Sequence, residues 1–234
     1  MKKILFWSLL FGIFSTIVGC TGMNDKHDMY LQEGEINYIG RADSAKILAG
    51  NQRFILKYWI TDPRAKVLKV YWSQKQDSMI VPIPVHQPKD SIQLVIGDAQ
   101  KIIPENNYTL QLLSTDGDKL SSILFEKIGN VYGPKYQASI SNRLYTLVKY
   151  ATVNSVVTIS WAGITSDKEI GLEISYFSPD ATPMKTKLTT AAVGTQTILT
   201  NVNKTMGVSY RTLFLPEKTA IDTFYTSSKT VVIP

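Results

Sequence analysis

The feature that most constrains the fold is an internal repeat of three alternating apolar segments, which recur in the same order about 100 residues later. Side chains of a β-strand point alternately to opposite faces, so each segment predicts a strand with one buried face. The matched triplets are Phe54, Leu56, Tyr58 with Val157, Ile159, Trp161; Leu68, Val70, Trp72 with Leu172, Ile174, Tyr176; and Tyr108, Leu110, Leu112 with Tyr210, Thr212, Phe214. Three strands that repeat in order predict two similar β domains.

The remaining apolar segments also favour strands. From Ile36 onward they are short, rich in Val, Ile, Tyr, Trp and Thr, and bounded by Gly, Pro, Asn or Asp. No stretch keeps a helical apolar stripe, and the best helix candidate, 139–146, would make one or two turns. We therefore predict an all-β fold with a first β-sandwich over 36–128, a linker over 129–142 and a second β-sandwich over 143–234.

The predicted linker combines turn-forming and aromatic residues. Gly129, Gly133 and Pro134 predict a turn-rich connection. Tyr132 and Tyr136 could pin that connection against one or both domains. We therefore expect a semi-rigid elbow between the sandwiches instead of a free hinge.

The amino terminus has the pattern of a bacterial lipoprotein signal. Two lysines precede an apolar run, 4–18, which is shorter than the ~20 residues that a membrane-spanning helix needs. The sequence Ile-Val-Gly-Cys at 17–20 resembles a lipobox, with a small residue directly before the cysteine. We predict that 1–19 is a removed signal peptide, that Cys20 is lipidated, and that the polar, aperiodic segment 20–35 is a flexible tether.

Charge and residue counts argue against several classes of function. The net charge is only +6 and its signs alternate along the chain, so the clustered basic face of a nucleic-acid-binding protein is not predicted. Cys20 is the only cysteine, and His27 and His86 are the only histidines, too few for a zinc site or a Ser-His-Asp triad. Glu169 and Glu173 fall in turn-like or alternating exposed contexts, which do not suit the carboxylate pair of a glycosidase. We predict no enzyme, no metal and no cofactor, and an exposed loop position for His86.

The predicted strands resemble those of fibronectin type III domains. The closer match is the V-x-I-x-W strand that holds Val157, Ile159 and Trp161. The segment 102–108, Ile-Ile-Pro-Glu-Asn-Asn-Tyr, looks like the tyrosine corner of such domains, in which the hydroxyl of Tyr108 would bond to upstream backbone. This resemblance implies an architecture and carries little information about activity.

Residues 35–143 resemble a family of Bacteroidetes lipoproteins with a domain of unknown function, DUF4998. The blocks that carry the resemblance are Tyr38-Ile39-Gly40-Arg41-Ala42-Asp43-Ser44, Asp62-Pro63, Val70-Tyr71-Trp72, Gly129-Asn130-Val131-Tyr132-Gly133 and Tyr136-Gln137. Tyr58 stands where the family usually carries tryptophan. The resemblance implies a cell-envelope lipoprotein, often encoded beside glycan-uptake systems, and it does not imply an enzyme.

Two aromatic residues are candidates for ligand binding. If alternate residues of the first two strands face the core, Trp59 and Tyr71 face outward, where a large ring could stack on a sugar or contact a protein. The alternative for Trp59 is that a strand end or bulge lets it cover the sandwich edge or pack on the linker. Because the two strands could belong to different sheets, the sequence leaves the adjacency of the two rings open.

These observations predict a membrane-anchored envelope lipoprotein that acts as a non-catalytic binding accessory. Glycan capture for a nutrient-uptake system, with Trp59 and Tyr71 as stacking residues, is the leading interpretation. The alternative is a structural or adhesive module that contacts another envelope protein through aromatic residues and sheet edges. Asp25 and Asp28 resemble the acidic tags of surface-exported lipoproteins, so we expect the outer membrane, with its surface side favoured over the periplasmic side. The expected partners are the membrane, through Cys20, and a polysaccharide or an envelope protein, but no nucleic acid.

Overall fold

The computed structural model describes residues 37–234, of which 39–234 form one compact unit. The predicted signal peptide, Cys20 and the predicted tether lie outside the described residues and stay predictions. Within the described part of the chain, strands predominate and two short α-helices occur, α1 (Pro134–Ser139) and α2 (Thr190–Val193). The all-β prediction is confirmed. No helix in the described part is long and apolar enough to cross a membrane.

The first sandwich is built from two antiparallel sheets. Its strands are β1 (Ser44–Ala49), β2 (Phe54–Trp59), β3 (Val67–Trp72), β4 (Asp77–Pro82), β5 (Ile92–Ile96), β6 (Asn106–Thr115) and β7 (Phe125–Val131). One sheet has the order β1-β2-β5 and the other the order β4-β3-β6-β7. The alternate apolar residues of β2, β3 and β6 meet between the sheets in a common core, as the sequence pattern predicts.

The second sandwich repeats this arrangement with its own core. Its strands are β8 (Tyr145–Ala151), β9 (Val156–Trp161), β10 (Glu169–Phe177), β11 (Pro183–Thr189), β12 (Gln196–Leu199), β13 (Val208–Phe214), β14 (Phe224–Tyr225) and β15 (Lys229–Val231). The sheets have the orders β12-β9-β8 and β11-β10-β13-β14, and β15 pairs with β13 beyond the end of β14. Val157, Ile159, Leu172 and Ile174 are fully buried between them, so the internal repeat corresponds to two similar folding patterns.

The predicted tyrosine corner is present in the first sandwich. The hydroxyl of Tyr108 donates to the backbone oxygen of Pro104 at 2.9 Å, which closes the loop before β6. The second sandwich uses a different bond, in which the hydroxyl of Tyr210 donates to the backbone oxygen of Arg143 at 2.6 Å. The repeat therefore keeps the buried tyrosine on the equivalent strand but changes the segment that it holds.

The best helix candidate of the sequence, 139–146, does not form a helix of its own, because α1 ends at its first residue and β8 begins at Tyr145. Pro134 suits the first helical position, where its fixed φ is favourable and its missing N–H needs no partner. The carboxylate of Glu105 accepts hydrogen bonds from the backbone N–H groups of Lys135 at 2.7 Å and Tyr136 at 2.9 Å. This distant carboxylate satisfies donors that would otherwise be unpaired at the helix start.

The connection between the sandwiches is held by an aromatic cluster. Strand β7 extends to Val131, so the first residues of the predicted 129–142 linker belong to a strand. The rings of Tyr132 and Tyr136 have centroids 5.0 Å apart, and the centroid of Phe224 on β14 lies 5.0 Å from that of Tyr136. The ring centroid of Tyr132 also lies 6.4 Å from that of Phe224, so both tyrosines of the connection pack against the second sandwich. The semi-rigid elbow stays a prediction.

Polar contacts add to this junction. Asp222 binds the guanidinium of Arg53, with its Oδ1 2.6 Å from Nη2. Glu217 accepts from the side-chain amide of Asn130 at 2.8 Å and from the hydroxyl of Tyr132 at 2.9 Å. Two carboxylates from the loop before β14 are thus fixed by donors from the first sandwich and its connection.

His86 lies in a loop, as predicted, but it is half-buried and not exposed. Its Nδ1 lies 2.8 Å from the backbone oxygen of Pro84, and its Nε2 lies 2.8 Å from the backbone oxygen of Ile60. Carbonyl oxygens only accept hydrogen bonds, so both contacts are satisfied together only when the ring carries two protons. These two carbonyls raise the pKa of His86.

Candidate functional site

A depression of about 620 Å³ opens on the outward face of the first sandwich, and we call it the amide groove. Its lining is dominated by uncharged polar side chains around one outward-facing aromatic ring, and only Lys75 among the lining residues is charged. The lining residues that matter here are Tyr71, Gln74, Asn106, Asn107, Thr109 and Gln111. The groove is therefore a surface with a single charged residue that is otherwise rich in neutral hydrogen-bonding groups.

Tyr71 faces this surface because of the alternation in β3. Its neighbours Val70 and Trp72 are buried in the core, so parity turns the Tyr71 ring to the outside. Across the sheet, Tyr71 is paired with Ser78 on β4 and with Gln111 on β6. The outward position predicted for Tyr71 is confirmed, whereas its role in binding stays a prediction.

The amides beside the ring are held by neighbouring side chains. The Nε2 of Gln111 donates to the carboxylate of Glu126 at 2.7 Å, which fixes the orientation of the amide because a carboxylate can only accept. The Nδ2 of Asn107 donates to the Oδ1 of Asn130 at 2.8 Å. Both contacts connect β6 to β7, so these groove amides are positioned by the sheet itself.

One wall of the groove is a turn with unusual backbone geometry. Ser73, Gln74 and Lys75, between β3 and β4, have φ values of 49°, 57° and 67°, in the left-handed region. Each such non-glycine residue costs about 1 kcal/mol or more, and such residues cluster at functional sites. The turn is closed by the backbone N–H of Gln76, which donates to the oxygen of Ser73 at 3.1 Å. It brings Gln74 into the lining of the groove, which Tyr71 also lines.

Trp59, the other predicted ligand residue, lies on the opposite side of the sandwich. It ends β2, is half-buried, and has the ammonium of Lys57 5.5 Å from its ring centroid. The sheets that carry Trp59 and Tyr71 enclose the same core, and each ring points away from it. The structure therefore does not bring the two rings together in one site.

The carboxylates that the sequence places in exposed contexts are buried, so that expectation is wrong. Glu169 is 6% exposed and lies 3.5 Å from Arg143, while Glu173 is 3% exposed and contacts Arg211 at 2.7 Å. Burial raises the pKa of Glu169 and outweighs the opposite effect of Arg143. Arginine partners that are distant in sequence, Arg143 before β8 and Arg211 on β13, allow burial that the local sequence context could not indicate. Within the described residues, no group of three or more His, Cys, Asp or Glu side chains could hold a metal ion.

One protein family and several solved structures are similar to this chain. The family profile of DUF4998, a domain of unknown function, matches residues 20–224, well beyond the 35–143 that the sequence blocks predict. Among solved structures, the chain is similar to the FN1–FN3 domains of chicken CNTN1, with 13% identity and a TM-score of 0.41, covering 83% of this chain and 66% of that one. It is also similar to a segment of two fibronectin type III domains from chicken tenascin, with 12% identity and a TM-score of 0.32, covering 82% of this chain and 98% of that one. No curated protein shows significant similarity to the chain. Because the matched residues include all of the first sandwich and most of the second, the chain belongs to the DUF4998 family.

Proposed function

We propose that the protein is a non-catalytic binding module of a Bacteroidetes cell envelope, and that its amide groove holds a neutral glycan chain. The observation that carries this proposal is the combination of one outward-facing ring, Tyr71, with the amide side chains of Gln74 and Asn107 in a depression where Lys75 is the one charged lining residue. Sugar rings have apolar faces that suit an aromatic ring and hydroxyl edges that both donate and accept hydrogen bonds. Asn, Gln and Thr side chains offer both functions without any charge.

The composition of the groove also favours capture over cleavage. Glycoside hydrolysis generally needs two carboxyl groups within about 5 to 9.5 Å of each other on either side of the bond. The lining of the amide groove contains neither a carboxylate nor a histidine. A glycan held there would meet hydrogen-bonding groups but no pair of carboxyl groups for acid–base catalysis.

The membrane attachment belongs to the same proposal. Lipid on Cys20 would hold the protein at the outer membrane, and the polar segment 20–35 would extend the sandwiches away from the lipid surface. The signal-like run before Cys20 supports this attachment, and Asp25 and Asp28 support the surface side. A glycan site on such a tether would raise the local concentration of substrate for an uptake system.

The test is a binding titration of neutral polysaccharides with the full chain, purified in a detergent that carries no sugar. Tyr71→Ala removes the ring of the groove, and Trp59→Ala is its matched control, since both remove a half-buried outward aromatic residue from the first sandwich. We expect at least one polysaccharide to bind, a loss of about tenfold or more for Tyr71→Ala, and unchanged affinity for Trp59→Ala. Equal affinity of wild type and Tyr71→Ala, or no binding across xylans, glucans, mannans and arabinans, would contradict the proposal.

The alternative function is a structural or adhesive module that binds another envelope protein. β-Sandwiches of this architecture are common in cell-surface domains. The observation that favours it is edge strand β4, where Ile80 is 61% exposed and the backbone could accept a further strand. Cross-linking in cells would then recover one stoichiometric protein partner, and the polysaccharide titrations would show no binding.

A further inference from the structure

A second depression, of about 220 Å³, lies on the outward face of the second sandwich and differs in chemistry from the amide groove. We call it the serine–cation pocket. Its lining includes the hydroxyls of Ser175, Ser209 and Ser228 together with the charged side chains of Lys185 and Arg211. Ser175 and Ser209 face each other across β10 and β13, so the sheet fixes their spacing.

The cations of this face are arranged around one carboxylate. The Oε1 of Glu173 lies 2.7 Å from Nε of Arg211 and 3.0 Å from Nζ of Lys185, and its Oε2 lies 3.7 Å from Nζ of Lys187. Tyr225 supports them, because the Arg211 guanidinium stacks 4.0 Å from its ring centroid. These contacts hold the cations in place before any ligand arrives, which reduces the entropy cost of binding.

The charge of this cluster is not balanced. Burial alone would raise the pKa of Glu173, but hydrogen bonds from Arg211 and Lys185 and their charges outweigh burial and lower it, so the carboxylate stays ionised. Glu173 is 3% exposed, whereas the side chains of Lys185 and Lys187 are each 58% exposed. The single negative charge thus lies beneath three cations, and two positive charges remain unbalanced at the surface.

We propose that the serine–cation pocket binds an oxyanion group: a sulfate, a phosphate or a carboxylate. Such a group accepts hydrogen bonds at every oxygen, and the pocket offers it serine hydroxyls together with charged donors from Lys185 and Arg211, beside the carboxylate of Glu173 that these cations already bind. Arg211 donates to Glu173 through Nε, and apart from its stacking on Tyr225 the rest of its guanidinium forms no other hydrogen bond within the described part of the chain. The site lies on the second sandwich and does not depend on the function of the amide groove.

The direct test titrates the full chain with sodium sulfate at constant ionic strength while NMR follows the backbone amides of Ser175, Ser209 and Ser228. We expect a saturable shift of these signals in the wild type. Lys185→Gln should weaken binding about tenfold, because it removes one charge-assisted contact. The matched control is Lys149→Gln, which removes an exposed lysine from β8 in the other sheet of the same sandwich and should leave affinity unchanged.

A further variant separates a built site from diffuse attraction. Ser209→Ala keeps the charge of the face and removes one hydroxyl, so it should also weaken sulfate binding, by about threefold to tenfold. Circular dichroism confirms that each variant is folded. The proposal is overturned if sulfate gives no saturable shift, if Lys185→Gln binds like the wild type, or if Ser209→Ala binds like the wild type.

The source of the oxyanion is distinguished by parallel titrations. Polygalacturonate offers carboxylates on a polysaccharide, phosphatidylglycerol vesicles offer phosphates at a lipid surface, and sodium phosphate offers the free ion. In each case binding must be weakened by Lys185→Gln to count as support, and the tightest such ligand identifies the source. Normal sulfate binding by Tyr71→Ala would show that this site is independent of the groove, so a failure of either proposal leaves the other testable.

Discussion

Asp222→Ala is expected to weaken the contact between the two sandwiches. In the wild type, Oδ1 of Asp222 lies 2.6 Å from Nη2 of Arg53, and its Oδ2 accepts from Nε of Arg53 and from the backbone N–H of Asn51, both at 2.9 Å. The variant loses the paired contact with the guanidinium and leaves the N–H of Asn51 to water. These donors belong to the first sandwich, whereas Asp222 precedes β14 of the second. The hydrogen bonds that the variant loses are therefore ones that join the two sandwiches.

The expected cost follows from the exposure of the pair. Hydrogen bonds to charged groups contribute about 1.5 to 3 kcal/mol where they are buried, but exposed ion pairs contribute about 0 to 1 kcal/mol. The side chain of Arg53 is 45% exposed and that of Asp222 is 20% exposed, so we expect a loss of about 1 to 2 kcal/mol in the free energy of unfolding.

The pH dependence has a defined sign. The hydrogen bond from Arg53 lowers the pKa of Asp222 in the folded protein. The stability from this carboxylate is therefore fully present above its ordinary pKa of about 3.9 and is lost as the pH falls through the lower folded value. The difference between wild type and Asp222→Ala should accordingly be largest near neutral pH and disappear in strong acid.

Calorimetry of the full chain measures both the unfolding temperature and the shape of the unfolding transition. The matched control is Asp62→Ala, because Asp62 also binds an arginine, Arg64 at 2.7 Å, and a backbone N–H, that of Gly40 at 2.6 Å, but within the first sandwich. Both variants should unfold at lower temperature, and only Asp222→Ala should broaden or split the transition as the sandwiches unfold separately. A transition of unchanged shape and position for Asp222→Ala would refute this interpretation of the junction.

Three further predictions concern groups that the fold holds in unusual surroundings. The stability from the doubly bonded ring of His86 should be present below its ordinary pKa of about 6.5 and decrease as the pH rises through the raised folded value, and His86→Gln should abolish that slope in urea titrations. Arg143→Met should cost about 3 to 5 kcal/mol, since it leaves Glu169 buried beside no cation, and adding Glu169→Gln should recover part of the loss in a double-mutant cycle. Gly129→Ala should cost about 1 to 3 kcal/mol in urea denaturation, because its new Cβ would lie 2.6 Å from Cβ of Ile47, and an unchanged midpoint would contradict this packing.

The strands could be predicted because their pattern is local. Alternation in β2 and β3 fixes which residues face the core, and that parity correctly turns Tyr71 outward. The tyrosine corner of Tyr108 was predictable for the same reason, since its acceptor, Pro104, is four residues away and the segment is self-contained. Short-range patterns of this kind follow from the alternation of side chains along a strand, so they can be read from neighbouring residues in the sequence.

The burial of Glu173 and the amide groove depend on residues that are distant in sequence. Glu173 alternates with buried apolar residues and so resembles an exposed strand residue, yet Arg211 from β13 and Lys185 from β11 cover it. The groove arises because the β3–β4 turn lies beside the start of β6, and surface amides such as Gln111 carry no periodic signal. For the same reason the sequence could not show that Trp59 and Tyr71 lie on opposite sides of the sandwich.

The junction between the sandwiches was only partly predictable. Tyr132 and Tyr136 were identifiable because large rings in a turn-rich connection need a surface to cover them. Their partner Phe224, and the acceptor Glu217, lie more than 80 residues further along the chain and show no local signal of this role. Pairing across such distances is a property of the tertiary fold, and it required the structure.

The most direct test of the proposed function is a crystal structure of the protein with the oligosaccharide that binds most tightly in the titrations. The proposal expects the sugar in the amide groove, with one ring stacked on Tyr71 and hydroxyls bonded to side chains such as Asn107 and Gln74. A sugar bound beside Trp59 on the opposite sheet, or a groove left empty while the ligand binds elsewhere, would contradict it.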